Sequence, residues 1–295
     1  MGIDVRQLGL RGLGLGGLGL RQLGVNRLGV KQLGRAALVA GGAMVTTLAA
    51  EVLAARNHRF LPSEPVLEIS CALGPEDAPP LVLAMLGDSS IAGVGADSAE
   101  STLTYGTARA LAERYRVSLH SFGVSGSRLA DVVRDQLPQL AELDADAVLV
   151  CVGTNDITHC TPVHEVRRQL QLLGAGLVTA APRAVVVVSG LPPAETSLAF
   201  RWPLRVVLGG WARAYTRLYQ AELSPHGVTV VDVARAARDV FRRKREMFST
   251  DLFHPSGAGY TFLGKFYGDA VLQALDAARA ADSPALPDLA GDLAG

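Results

Sequence analysis

The chain has 295 residues, of which 49% are hydrophobic, enough for a sizeable buried core. Basic and acidic residues number 28 each, so the formal net charge is zero and no global field draws the molecule to nucleic acid or an anionic surface. Three cysteines, Cys71, Cys151 and Cys160, form no CxxC pair, which argues against a disulfide scaffold or a cysteine-rich zinc site and leaves them as small buried hydrophobes.

The predicted elements begin with low complexity. Residues 6–35 read as six copies of a five-residue unit, RQLGL to KQLGR. A leucine every fifth residue advances roughly 140° on a helix and alternates faces on a strand, so neither structure gathers the leucines, and residues 1–35 are expected to be a disordered basic repeat. Gly12-Leu13-Gly14-Leu15-Gly16-Gly17 matches the dinucleotide fingerprint formally, but no strand precedes it, so no cofactor is expected. Residues 36–55 read as an apolar signal or anchor segment preceded by basic residues: the uncharged run from Ala36 to Ala50 is short of the roughly 20 residues a span needs, and extending it to Ala55 gives the length but includes Glu51. Its order predicts a secreted or N-terminally membrane-anchored protein, with a cytoplasmic extension or a misassigned start as alternatives. Residues 56–80, with Pro62, Pro65, Pro75, Pro79 and Pro80, read as a linker.

From residue 81 to 280, short apolar runs alternate with amphipathic stretches, the pattern of a parallel sheet covered by helices. The predicted strands are 81–86, 117–122, 147–152, 184–189 and 228–233. Helices are expected over 101–115, 127–141, 162–180, 203–223 and 257–280, the third with Thr161 as N-cap and Pro162 at its first position. Residues 281–295 read as a flexible tail.

In such a sheet ligands bind beyond the carboxyl ends of the strands. The first three strands run into Gly87-Asp88-Ser89-Ser90, Gly123-Val124-Ser125-Gly126 and Gly153-Thr154-Asn155-Asp156, so three polar turns converge on one rim. Asp251-Leu252-Phe253-His254-Pro255 precedes the last helix. A serine hydroxyl needs an adjacent base, and the base needs a group to fix its tautomer. Ser89, His254 and Asp251 supply those parts, and a three-residue separation lets one turn set Asp251 against His254. The backbone N–H groups of Ser89 and Gly126 and the Asn155 amide are the candidate oxyanion donors.

Ser, Gly, Asn and His blocks in this order resemble the SGNH/GDSL hydrolase family over residues 80–280. The resemblance implies a flavodoxin-like three-layer α/β/α sandwich with a five-stranded parallel sheet in the order 2-1-3-4-5. It implies Ser89 as nucleophile, Asp251 and His254 as its partners, and Ser89, Gly126 and Asn155 as the oxyanion hole, with Gly123 competing for the role of Gly126. Ser90 departs from the leucine of the eponymous motif, which bears on substrate more than mechanism. The implied function is a serine esterase or acylhydrolase working through an acyl-enzyme. Its partner is a small-molecule, lipid or glycan ester, with membrane association through the N-terminal segment and no nucleic acid. The alternatives are an acyltransferase with the same triad and a non-catalytic binding protein.

No Gly-x-Ser-x-Gly elbow occurs. Gly259 to Lys265 imitates a phosphate loop but falls in a predicted helix, and His164-Glu165 lacks the second histidine of a zinc helix, so no metal is expected. Arg242 to Arg245 reads as a solvated helix face. Phe200, Trp202 and Trp211 read as helix core, or else as a wall of the cleft beside Leu191-Pro192-Pro193. His159 reads as a surface residue, and His58, His120 and His226 have no evident partner.

Overall fold

The computed structural model describes residues 27–56, 58, 60–62 and 69–282. The chain divides into two compact units between Ala50 and Glu51. Helix α1 (Arg27–Arg56) makes up all of the described part of the first unit and ends at Arg56. Its first residues, 27–35, belong to the Leu-Gly repeat and are helical, against the sequence expectation. Extending a helix is far cheaper than nucleating one, and the alanine-rich run that follows supplies the nucleus. The rest of the repeat and residues 283–295 lie outside the described residues. Among the described residues, no helix is long and apolar enough to cross a membrane.

The second unit is built on six strands: β1 (Cys71–Leu73), β2 (Pro80–Gly87), β3 (Arg116–Ser121), β4 (Ala147–Cys151), β5 (Val185–Ser189) and β6 (Thr229–Val231). Their order is β1-β3-β2-β4-β5-β6, parallel throughout except for β1, which pairs antiparallel with β3. The five parallel strands take the order that the family resemblance implies. The sixth is a correction: β1 lies in the proline-containing stretch read as a linker. Three residues with one apolar side chain on each flank carry too short a period to stand out from a loop.

Nine helices, α1 among them, are assigned among the described residues; those after α1 are α2 (Leu103–Leu111), α3 (Leu129–Asp131), α4 (Leu137–Ala141), α5 (Thr154–Thr158), α6 (Val163–Ala180), α7 (Leu204–Leu223), α8 (Val233–Arg243) and α9 (Gly257–Asp282). Strand residues alternate between two helical layers. Ala147, Leu149, Cys151 and Val187 share a core with Leu103 and Leu111 of α2, Ala237 and Phe241 of α8, and Tyr260, Tyr267 and Val271 of α9. Val148, Val150, Val186 and Val188, all buried, point the other way, to the side where α6 and α7 pack together.

Two helix predictions need correction. The stretch 127–141 is α3 and α4 joined by a π turn, Val132–Gln136. The N-cap of helix α6 is Pro162, one residue beyond Thr161, and proline has no side-chain acceptor to cap with; Thr161 N–H instead closes the turn after α5 on Asp156 O at 2.8 Å.

The chain leaves β2 for β3 on one side and returns to β4 on the other, so the strand order reverses between β2 and β4. Gly87 and Cys151 are register partners at the carboxyl ends of these two strands. The crevice for a ligand opens there.

Candidate active site

β2 ends in a glycine for a steric reason. Gly87 has φ +150°, and a Cβ on it would collide with the Cys151 carbonyl. Asp88 N–H extends the ladder to Cys151 O at 3.0 Å, and the chain then winds so that Ile91 and Ala92 N–H donate to Asp88 O and Val94 N–H to Ser89 O. Ser89 therefore sits at the head of a tight turn on the sheet's carboxyl edge. Beneath it the buried Gln136 amide grips the strand end: Gly87 N–H donates to its Oε1 at 2.8 Å and its Nε2 donates to Gly87 O at 2.9 Å. The π turn supplies the extra residue that aims Gln136 inward.

The other two rim turns are tied together. Asn155, on α5 just beyond β4, donates through Nδ2 to Ser127 O at 3.0 Å, and Asp156 Oδ2 accepts Leu129 N–H at 3.0 Å. Burial raises the Asp156 carboxyl above its ordinary range, with the Leu129 N–H acting the other way. Gly123 serves close packing, because a Cβ there would lie 2.5 Å from Ile91 Cγ2. Gly126 is exposed, takes φ +86° and has open space around it.

The His254 imidazole, the candidate base, stands on the turn before α9. His254 Nδ1 lies 2.6 Å from Asp251 Oδ2, and Nε2 lies 3.1 Å from Ser89 Oγ. Burial works to raise the Asp251 carboxyl, but hydrogen bonds from His254, Ser249 and the Phe253 N–H outweigh it and hold the group well below the usual carboxylate range. An ionised carboxylate only accepts, so Nδ1 carries the proton and Nε2 is left to accept from the serine hydroxyl. Asp251 and His254 are both buried. Asp88, next to Ser89, is raised by burial to about 6 against the opposing Ser90 N–H and the nearby His254.

Ser89, Asn155 and His254 line one cavity of about 120 Å³. Its wall includes Leu191, Pro192 and Pro193, as expected on one reading, and its inner part is apolar, formed by Leu103, Val233, Ala237, Phe241, Phe248 and Leu263. Asp251 stands behind His254, and Gly126 is outside the lining, one residue from the Ser127 carbonyl that holds Asn155. The N–H groups of Ser89 and Gly126 have no acceptor among the described residues, and one Asn155 Nδ2 hydrogen is uncommitted. A nucleophile, an oriented base and free donors on one rim are the parts of acyl transfer by a serine.

Several residues were misjudged from the sequence. His58 has a partner: its Nε2 lies 2.7 Å from Asp251 O. His120 bonds Ser118 Oγ at 3.1 Å, and His226 packs against Gly174. Trp202 and Trp211 are 57% and 45% exposed, not helix core, and only Phe200 of that trio is buried, edge-on to Phe253 at 5.7 Å. His159 is exposed, as are Arg242 to Arg245, and none of them lines the cavity. Gln136 went unread because a glutamine in a helical pattern carries no motif.

The model of the GDSL-like Lipase/Acylhydrolase family matches residues 85–262, more than half of the chain. The GDSL-like esterase Rv1075c of Mycobacterium tuberculosis is 29% identical over 189 residues, covering 60% of this chain and 57% of that protein. The chain thus matches less than two thirds of that relative's length. Among solved structures, the psychrotrophic esterase EstA of Pseudoalteromonas sp. aligns with TM-score 0.53 and 18% identity over 66% of this chain and 98% of that one. The family 3 carbohydrate esterase of Clostridium thermocellum aligns with TM-score 0.52 and 16% identity over 68% and 99%. At those identities they share the fold. Fold, motif order and family match agree: the chain belongs to the GDSL-like Lipase/Acylhydrolase family.

Proposed function

We propose that this protein is a serine esterase for carboxylic esters with short to medium apolar acyl groups. The observation that carries the reading is the His254 imidazole, 2.6 Å from Asp251 and 3.1 Å from Ser89 Oγ. Ser89 Oγ attacks the ester carbonyl while its proton passes to His254 Nε2, and Asp251 stabilises the imidazolium. The Ser89 and Gly126 N–H groups and Asn155 Nδ2 receive the negative oxygen. Collapse of the tetrahedral species expels the alcohol, which takes the proton from His254. Water, activated by the same imidazole, then releases the acid and restores Ser89.

The acyl preference rests on the cavity. About 120 Å³ is somewhat less than an apolar cavity of ~150 Å³ that accepts benzene, which corresponds to roughly four to six carbons. Its inner side chains offer apolar contact and few hydrogen bonds, which suits an alkyl chain better than a sugar.

The test is hydrolysis of a p-nitrophenyl ester series from acetate to laurate. Turnover is expected to peak near butyrate or hexanoate and to vanish in Ser89→Ala while that variant's circular dichroism is unchanged. Retained activity in pure, folded Ser89→Ala would sink the mechanism. Ala237→Trp, which fills the inner cavity, is expected to move the optimum to acetate. An unmoved optimum would place the acyl chain elsewhere.

A further inference from the structure

We propose that His58 and Leu61 are positioning residues of the Asp251–His254 pair, resting on the serine-esterase reading above. Leu61 N–H donates to Asp251 Oδ2 at 3.1 Å, the same oxygen that takes the His254 Nδ1 proton. His58 Nε2 lies 2.7 Å from the Asp251 main-chain carbonyl; a carbonyl only accepts, so this imidazole nitrogen is the donor. Both residues lie upstream of residue 85, where the family match begins, and so outside the region that carries the family motifs.

The carboxylate receives five hydrogen bonds. Four come from its own turn: Ser249 Oγ, Phe253 N–H, and the N–H and Nδ1 of His254. Leu61 supplies the fifth, and it is the donor that holds the turn against another part of the chain. The ring contacts run in the same direction. His58 meets Phe60 edge-on at 4.7 Å, Phe60 meets Phe253 at 5.0 Å, and Phe253 meets His254 at 5.0 Å.

The turn has reason to need holding. Leu252, between Asp251 and the base, takes φ +61°, a left-handed conformation that disfavours a leucine. Its carbonyl is gripped from one side by Leu198 N–H, Ala199 N–H and Ser197 Oγ, each at 3.1 Å. His58 and Leu61 grip the neighbouring residue from a separate segment. A turn shifted for want of these contacts would carry Asp251 Oδ2 with it and so displace the His254 Nε2 that faces Ser89.

The experiment is steady-state hydrolysis of p-nitrophenyl butyrate by the full chain and by His58→Ala, His58→Gln and Leu61→Pro, with thermal melts and the rate of labelling by a fluorophosphonate. Losing one hydrogen bond of this kind is expected to lower kcat about tenfold in His58→Ala and Leu61→Pro. KM should stay within about twofold, because neither residue lines the cavity. Labelling of Ser89 should slow in parallel. His58→Gln, whose amide N–H can reach the same carbonyl, should recover most of the loss. If His58→Ala melts early, the comparison of His58→Gln with Leu61→Pro decides. Folded His58→Ala and Leu61→Pro with wild-type kcat and labelling rate overturn the proposal, as does a glutamine variant no better than alanine. A wild-type chain that neither turns over nor labels instead removes the serine-esterase reading itself, and this proposal with it.

Discussion

At the scale of single residues, two carboxylates close to one imidazole stand in opposite electrostatic conditions. Asp251 is surrounded by donors and stays ionised, whereas Asp88 has few and is raised by burial from 3.8 to about 6. A carboxyl with a higher pKa in the folded than in the unfolded state stabilises the fold fully only below the unfolded value, and that contribution is lost as pH rises through the folded value. The window runs from about 4 to about 6. Two units correspond to about 3 kcal/mol as an upper bound. Asp88→Asn keeps an oxygen for the Ser90 N–H, which donates to Oδ1 at 3.1 Å in the wild type, and removes the charge. Relative to wild type it should gain up to about 3 kcal/mol in urea unfolding between pH 4 and pH 7.5. Parallel stability curves across that range would show that Asp88 is not a strained ion. That Ser89, Asn155, Asp251 and His254 meet at one rim was readable because each sits in a short motif at a strand or helix end. The states of Asp88 and His58 were not, since burial and a contact across the chain leave no local pattern.

Among the elements, the junction of α2 with α9 shows what a sequence pattern omits. The amphipathic stretches announced both helices, but nothing in their periodicity said that they cross at glycines. A Cβ on Gly264 would lie 2.7 Å from the Gly106 Cα and carbonyl carbon and 2.9 Å from Thr107 N. These are backbone atoms that cannot turn aside, so Gly264→Ala must push the helices apart. It should destabilise by about 1 to 3 kcal/mol despite alanine's better helix propensity. A variant as stable as wild type in chemical unfolding would mean that the helices slide freely. The π turn was illegible for a related reason: Gln136 is defined by the strand end it reaches, and a single inserted residue barely disturbs a helical pattern. Strand order, by contrast, was implied by the family resemblance that the motifs carry, and the five parallel strands take it.

For the molecule as a whole, the compact unit and the family similarity start at different residues. Family similarity starts at residue 85, yet the compact unit starts at Glu51. Described residues between the two pack into the core and reach the Asp251 turn. Ile69 is buried at 6% exposure in the main core, β1 pairs with the outer edge of β3, and Glu51 Oε2 accepts Arg201 N–H at 3.1 Å. Burying one isoleucine side chain contributes about 1.5 to 3 kcal/mol, and β1 adds edge-strand hydrogen bonds of about 1 kcal/mol each. A chain of residues 80–295 should therefore melt at least about 6 °C below one of residues 51–295. It should also hydrolyse p-nitrophenyl butyrate more slowly, since it lacks the donors that reach Asp251. The two losses are separable: residues 69–295 keep Ile69 and β1 and should recover most of the melting temperature without the lost kcat. If residues 80–295 match residues 51–295 in both measurements, the self-sufficient unit starts where the family similarity does, and the upstream contacts to Asp251 contribute nothing measurable.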